Sequence, residues 1–331
     1  MPELRYNVIT REWVIIATER AKRPDQFVRK QERNPLPPFD AKCPFCPGNE
    51  AMTPPATYVV PDTNSWRVRV TPNKFAALSY EGERKRIVQG IRRTVSGVGI
   101  HEVMVETPVH NMTTALLGDA QVEIIIQTYL NRFKFASSDP RIDQVTIFKN
   151  HGEAAGTSIE HPHSQMIATP VITSQLRERL SHALEHFDEF GECIFCRVRE
   201  QELKDQTRIV LETEHFVAFV QFATLTPFSM LIMPRRHMAC FAEIKDSEAA
   251  DLARILRRVL AKLYRGLADP DYNYVVRTAP TEYSGVKHYH WYVSIIPRLT
   301  RMAGFELGSG MFINVSLPEE NASFLRGIAV E

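Results

Sequence analysis

Apolar positions along the chain follow two periods. Alternation in SWRVRV (65–70) and the mostly apolar run EVMVETP (102–108) predict strands. From Asp119 onward, Val122, Ile125, Ile126, Tyr129 and Phe133 recur at helical spacing and predict an amphipathic helix. QVTIFKN (144–150) reads as a strand, Gly152 and Gly156 punctuate a loop, and IEHPHSQMI (159–167) opens a further strand-like run ending near Pro170. The order then recurs. HFVAFVQF (215–222) and FSMLIMP (228–234) read as strands, followed by a helix from about Ser247 with Leu252, Ile255, Leu256, Val259, Leu260 and Leu263 on one face. The strands YNYVVRT (272–278) and HYHWYVSIIP (288–297) follow. Upstream of all these, the charged, proline-rich stretch from Arg20 to Lys42 reads as an extended loop with a solvated basic surface.

The recurrence extends to single residues. A CxxC opens each half, Cys43-Pro-Phe-Cys46 and Cys193-Ile-Phe-Cys196. Pro108-Val-His110 ends one strand and Pro234-Arg-Arg-His237 ends its counterpart. HPHSQMIATP and HYHWYVSIIP both begin His-x-His and end in Pro, and 51 residues separate His110 from His161 and His237 from His288. Two β-β-α-β-β units of one design account for this, divided as 1–175 and 176–331. The expected fold class is α+β, a largely antiparallel sheet with packed helices.

Composition narrows the function classes. At 331 residues, 44% hydrophobic and 24% charged, the chain has a globular composition, and its net charge of +1 gives no electrostatic reason for nucleic-acid binding. No apolar run approaches the roughly 20 residues of a membrane span. MPELRYNVITREW lacks the apolar stretch of a secretory signal, so the expected location is the cytoplasm. In a reducing compartment, paired CxxC motifs imply metal or redox chemistry. The fifth cysteine, Cys240, reads as a small buried residue.

A CxxC presents two thiolates from one turn, and tetrahedral zinc needs two further ligands, for which neutral imidazoles are suited. The first half offers Cys43, Cys46, His110 and His161. The second offers Cys193, Cys196 and His237, with His288 or His290. A thioredoxin-like site would want the CxxC at a helix start, which Pro44 and Pro47 disfavour. Two closed Cys2His2 sites, about two zinc ions per chain, would be structural, because no coordination position remains for a substrate.

On a strand, side chains at i and i+2 share a face, so His161, His163 and Gln165 are expected to line up, about 7 Å apart at each step. With His161 given to zinc, His163 is free. A neutral imidazole, with an ordinary pKa of about 6.5, is a competent nucleophile toward phosphorus when one ring nitrogen is held by a hydrogen bond. Pro162 stiffens the segment and removes a donor. Gln165 can donate to a phosphoryl oxygen, and the loop 150–158, NHGEAAGTS, offers hydroxyls and close backbone approach.

HPHSQ with the upstream NHGEAAGTS resembles the galactose-1-phosphate uridylyltransferase family, within the histidine-triad superfamily. ELRYNVITREWVIIATERAKRP, CPFCPGNE, RVTPNKFAAL, VETPVH and PRLTRMAGFELGSGMFIN each resemble a block of that family, so the likeness covers nearly the whole chain. It implies two histidine-triad-like halves and a ping-pong nucleotidyl transfer between nucleotide-sugar and sugar-1-phosphate substrates. His163 would attack the α-phosphorus of UDP-glucose, glucose-1-phosphate would leave, and galactose-1-phosphate would take the uridylyl group. By the same likeness Gln165 and Ser158 bind the transferring phosphoryl group, and Asn150, Gly156 and Thr157 belong to the substrate loop. Arg20, Arg23, Asn73 and Phe75 match nucleotide-contacting positions. Glu306 and Asn314 lie in the segment that contacts the sugar in these dimeric enzymes. The likeness favours His290 as the fourth ligand of the second site, and Tyr292 leaves the second half without a nucleophile of its own. Thr157 and Ser164 stand where some members have cysteine and glycine. HPHSQ with a second CxxC is closer to the branch containing plant ADP-glucose phosphorylase, so an adenylyl-transferring enzyme is the alternative. A zinc-stabilised nucleotide-binding module is the non-enzymatic one.

Overall fold

The structure, a computed structural model, describes residues 1–29, 33 and 35–330. Residues 30–32 and 34, within the expected proline-rich loop, and residue 331 lie outside those described, as does the side chain of Arg20.

In chain order the main elements are β1 (Glu3–Asn7), β2 (Glu12–Ile16), β3 (Tyr58–Val60), β4 (Val68–Pro72), β5 (Arg86–Gln89), β6 (Arg92–Val95), β7 (Ile100–Val105), α1 (Asp119–Ser137), β8 (Gln144–His151) and β9 (His163–Thr169). Then follow α2 (Ser174–Phe190), α3 (Ile194–Asp205), β10 (Ile209–Glu212), β11 (Phe216–Val220), β12 (Met230–Pro234), α4 (Asp246–Leu267), β13 (Tyr272–Arg277), β14 (Tyr292–Pro297), α5 (Gly304–Ser309), β15 (Phe312–Asn314) and α6 (Pro318–Gly327). The expected β-β-α-β-β units are β4-β7-α1-β8-β9 and β11-β12-α4-β13-β14. Their strands join in one ten-stranded sheet, ordered β10-β11-β12-β14-β13-β8-β9-β7-β4-β3, with every pairing antiparallel. The two units meet where β8 pairs with β13, so residues of one half stand beside the loop of the other.

Strand alternation sorts the side chains into two layers. One face, with Val68, Val70, Met104, Ile147, Met166, Ile232 and Ile295, packs against α1 and α4, which also pack on each other. Every apolar position that predicted α1 is buried, as are the six that predicted α4. Burying side chains of this size contributes about 1.5–3 kcal/mol each. The opposite face differs between halves. In the second, α2 and α3 cover it through Leu176, Leu180 and Phe195. In the first, the small cluster of Cys43, Phe45, Cys46, Trp66, Val103 and Val105 lies there. The N-terminal hairpin β1-β2 is extended by β15 in parallel, and β5-β6 is a separate ribbon.

Two expectations shift. His161 precedes the strand instead of lying on it: β9 begins at His163, which pairs with Val105. Pro162 has no N–H for the ladder, and its carbonyl accepts from Glu106 N. Likewise β14 begins at Tyr292, not at His288. The basic stretch is not wholly solvated either, since Arg29 and Arg33 pair with Asp271, and Arg33 also with Asp269, across the chain.

Candidate active site and metal centres

Each CxxC closes on two imidazoles. Donor atoms of Cys43, Cys46, His110 and His161, and of Cys193, Cys196, His237 and His290, lie within 4.8 Å of one another in each group. Cys46 Sγ is 3.5 Å from both His110 Nδ1 and His161 Nδ1, and Cys196 Sγ is 3.3 Å from both His237 Nδ1 and His290 Nδ1. Thiolate and imidazole ligands of one tetrahedral zinc stand about 3.6 Å apart, so the spacing fits. In two of the histidines the other ring nitrogen is anchored, His161 Nε2 to Thr107 O at 2.7 Å and His237 Nε2 to Val286 O at 3.1 Å. A ring that donates from Nε2 has its Nδ1 lone pair free for a metal. Burial pushes His161 down to about 4, which keeps the imidazole neutral. It also pushes the Cys43 thiol up to about 11, a balance that a dication among four donors reverses. His288 offers its backbone oxygen near Cys193 Sγ, while its ring lies against Phe187. Both groups can hold a metal ion of the zinc type.

At the junction of β8, the loop after it and the start of β9 lies a cavity of about 1070 Å³, lined among others by His110, Lys149, Asn150, Gly152, Thr157, Ser158, His161 and His163. His163 is 8% exposed. Its Nδ1 donates to His161 O at 2.8 Å, and its ring meets Phe45 edge-on with centroids 5.2 Å apart. Burial lowers its pKa below the ordinary histidine value, against the raising effect of that hydrogen bond. At neutral pH the ring is therefore uncharged, with Nδ1–H fixed and the Nε2 lone pair available.

The glycine-rich loop after β8 is shaped by two positive-φ glycines, Gly152 (+85°) and Gly156 (+88°). A side chain on Gly152 would collide with Asp271 and Arg33. The second half holds this loop. Asp271 Oδ2 accepts from Ala154 N at 2.6 Å. Asn273 Nδ2 donates to Asn150 Oδ1 at 2.8 Å and to Ala155 O at 2.9 Å, while Arg298 Nε donates to Asn273 Oδ1 at 2.7 Å. Arg298 can only donate, so Asn273 must donate onward, and Asn150 keeps its own Nδ2 for the cavity.

Beneath the cavity, Lys149 and Glu106 form an ion pair whose side chains are 1% and 0% exposed. Tyr129 and Thr114 hydroxyls donate to Glu106, each at 3.0 Å, and Tyr129 also meets Tyr274. Burial alone would raise the Glu106 pKa, but Lys149 and the two hydroxyls hold it below the ordinary value.

Other expected positions fall at varying distances from the cavity. Gln165 shares a strand face with His163, and its Oε1 accepts from His101 and Asn73. Phe75 is 84% exposed on the loop carrying Asn73. Arg23 is exposed, and Glu306 caps α5 by accepting from Ala303 N. Asn314 is fully buried, its amide bonded to Thr224 O and to Ser316. Of the expected positions described, Arg23, Asn73, Phe75, Gly156, Gln165, Glu306 and Asn314 are not among the residues lining the cavity of a single chain. In the second half, Tyr292 is 3% exposed among Phe195, Tyr289 and α2. Lys149, Glu106, His101, Asp271 and Asn273 were not singled out by sequence. For Lys149 and Glu106 the signal available was charge within predicted strands, QVTIFKN and EVMVETP; for His101, Asp271 and Asn273 the sequence offered none.

A family model described as galactose-1-phosphate uridyl transferase, N-terminal domain, matches residues 1–173, and its C-terminal counterpart matches 175–328. These matches define the class, an α+β nucleotidyltransferase. The chain is 36% identical to the ADP-glucose phosphorylase of Arabidopsis thaliana, covering 99% of this chain and 93% of that protein. It is 31% identical to the galactose-1-phosphate uridylyltransferase of Thermotoga maritima, with 100% of each covered. Among solved structures, an Arabidopsis thaliana ADP-glucose phosphorylase with bound ADP-glucose matches with TM-score 0.85 at 32% identity over 100% of both chains. The chain belongs to the galactose-1-phosphate uridyl transferase family.

Proposed function

We propose that this nucleotidyltransferase moves a uridylyl group from UDP-glucose to galactose-1-phosphate through a covalent nucleotidyl-histidine at His163. The observation that carries the reading is the buried, neutral His163, its Nδ1 hydrogen-bonded to a carbonyl and its ring lining a cavity large enough for a nucleotide sugar. His163 Nε2 donates its lone pair to the α-phosphorus, the P–O bond to the sugar-1-phosphate breaks, and that phosphate departs with the electron pair. The second sugar-1-phosphate then attacks the same phosphorus and returns Nε2 to its free state. Gln165, Ser158 and the Asn150–Thr157 loop would neutralise the phosphoryl oxygens, and Arg20, Arg23, Asn73 and Phe75 would hold the nucleotide.

Zinc, two ions per chain, would be held by the two Cys2His2 groups and would supply structural cross-links, leaving the reaction to the side chains. The two halves, 1–175 and 176–331, are supported by the family matches to either side of residue 174. A homodimer is part of the proposal: Phe75 is left open, and Arg23, Glu306 and Asn314 lie off the cavity of their own chain. The cytoplasm is the proposed location. Among the described residues no helix is long and apolar enough to cross a membrane.

An ADP-glucose phosphorylase reading, with adenylyl transfer to phosphate, is favoured by the 36% identity to the plant enzyme. Incubation with UDP-glucose or ADP-glucose, each labelled in the α-phosphate, separates the two. The donor that leaves a base-stable, acid-labile label on the protein is the substrate, and no label from either donor would refute the covalent mechanism.

A further inference from the structure

We infer that His101 is a positioning residue that fixes the amide of Gln165 with its NH2 toward the phosphoryl group and ties that amide to the loop carrying Asn73 and Phe75. The inference rests on the proposed role of Gln165 at the transferring phosphate. His101 lies on β7, on the strand face shared by Gln165, since Val103, two residues on, pairs with Gln165. Both ends of the loop after β4 close on His101. Asn73 N donates to its backbone oxygen at 2.8 Å, and Ala77 N donates to its Nδ1 at 3.1 Å.

A backbone N–H can only donate, so His101 Nδ1 is the acceptor, and the proton of the neutral ring sits on Nε2. Nε2 is 2.9 Å from Gln165 Oε1 and donates to it. Asn73 agrees: its Oδ1 accepts from Phe75 N at 2.9 Å, which leaves its Nδ2 to donate, again to Gln165 Oε1, at 3.4 Å. The 3.1 Å approach of Asn73 Nδ2 to His101 Nε2 is then two donors converging on one acceptor, not a hydrogen bond between them. With Oε1 accepting twice, Gln165 Nε2 is the free end, and no protein acceptor takes it among the described residues. An amide donor is what a phosphoryl oxygen requires, whereas a flipped amide would present oxygen to oxygen. The same imidazole thus sets the nucleoside loop and the polarity of the phosphoryl contact.

Two measurements test this on the full-length, metal-loaded protein. Nitrogen-15 NMR of the histidine rings should find His101 protonated at Nε2 and bare at Nδ1 near neutral pH. The opposite tautomer overturns the inference whether or not the protein transfers nucleotides. His101→Phe should lower kcat/KM for the labelling donor about tenfold or more, the scale of one hydrogen bond together with a misdirected amide. In a Gln165→Ala background the same substitution should have an effect on kcat at least threefold smaller than in the wild type, while the increase in KM from the loosened loop persists. Full additivity in kcat would show that His101 acts only by general packing and would overturn the inference. A wild-type protein that takes up no label from either donor would count against the proposed function, and the tautomer would still decide the placement of His101.

Discussion

Replacing Lys149 by Met should expose what the buried pair under the cavity contributes. In the native protein the Glu106 carboxylate is fully buried, balanced by one ammonium and by hydroxyls from Tyr129 and Thr114. Breaking such a pair on one side costs about 3–5 kcal/mol, because a buried charge loses its partner. Two hydroxyls cannot replace it, so burial then dominates and the Glu106 pKa rises instead of falling. The sign with pH follows. In the wild type the folded-state pKa is depressed, so the stabilisation from Glu106 is complete above the ordinary carboxylate range and is lost only as pH falls through the depressed value. In Lys149→Met the folded protein holds a proton that the unfolded chain lacks, so stability falls as pH rises, by about 1.4 kcal/mol per unit up to the raised pKa. Urea unfolding of both proteins at pH 6, 7 and 8 should therefore show a deficit that is largest at pH 8 and about 2–3 kcal/mol smaller at pH 6. Adding Glu106→Gln should recover most of it. A deficit below 1 kcal/mol that does not change with pH would refute this account of the pair.

Three other outcomes follow from the site. Metal analysis of the purified protein should find about two zinc ions per chain, and Cys46→Ser should lose one of them along with thermal stability. Gly152→Ala should lower transfer activity by tenfold or more, because φ of +85° and the crowding of Asp271 both exclude a side chain; circular dichroism should show the sheet intact. Asn273→Asp should be worse for kcat than Asn273→Ala. The aspartate keeps Arg298 but can only accept toward Asn150, turning that amide's oxygen into the cavity, and equal effects would contradict the relay.

Much of this architecture was legible in the sequence because it depends on period. Val122 to Phe133 and Leu252 to Leu263 announced the two helices, and the twin CxxC and His-x-His spacings announced two equivalent units. The equal 51-residue gaps misdirect at one point. The ring that joins Cys196 is His290, two residues further on, because the loop ahead of β14 carries His288 past Phe187. Periodicity also placed His161 on a strand, whereas the missing N–H of Pro162 delays the ladder to His163. The residues that orient the site were not legible. Asp271 and Asn273 reach Ala154 and Asn150 only because β13 pairs with β8, a join between halves that no local pattern encodes. His101 stands just ahead of the run EVMVETP with no local signal of a role, which comes only from the loop after β4 folding around its ring. Lys149 and Glu106 look like solvated charges within strands, and only their common burial shows that each depends on the other.

The central claim is that His163 carries the nucleotide. The most direct measurement is peptide mapping of protein quenched in base after exposure to the labelling donor without acceptor. The account predicts one nucleotidyl group, attached to the peptide containing His163, released on addition of the sugar-phosphate or phosphate acceptor and absent in His163→Ala. Label on any other residue, or efficient transfer by His163→Ala, would contradict it.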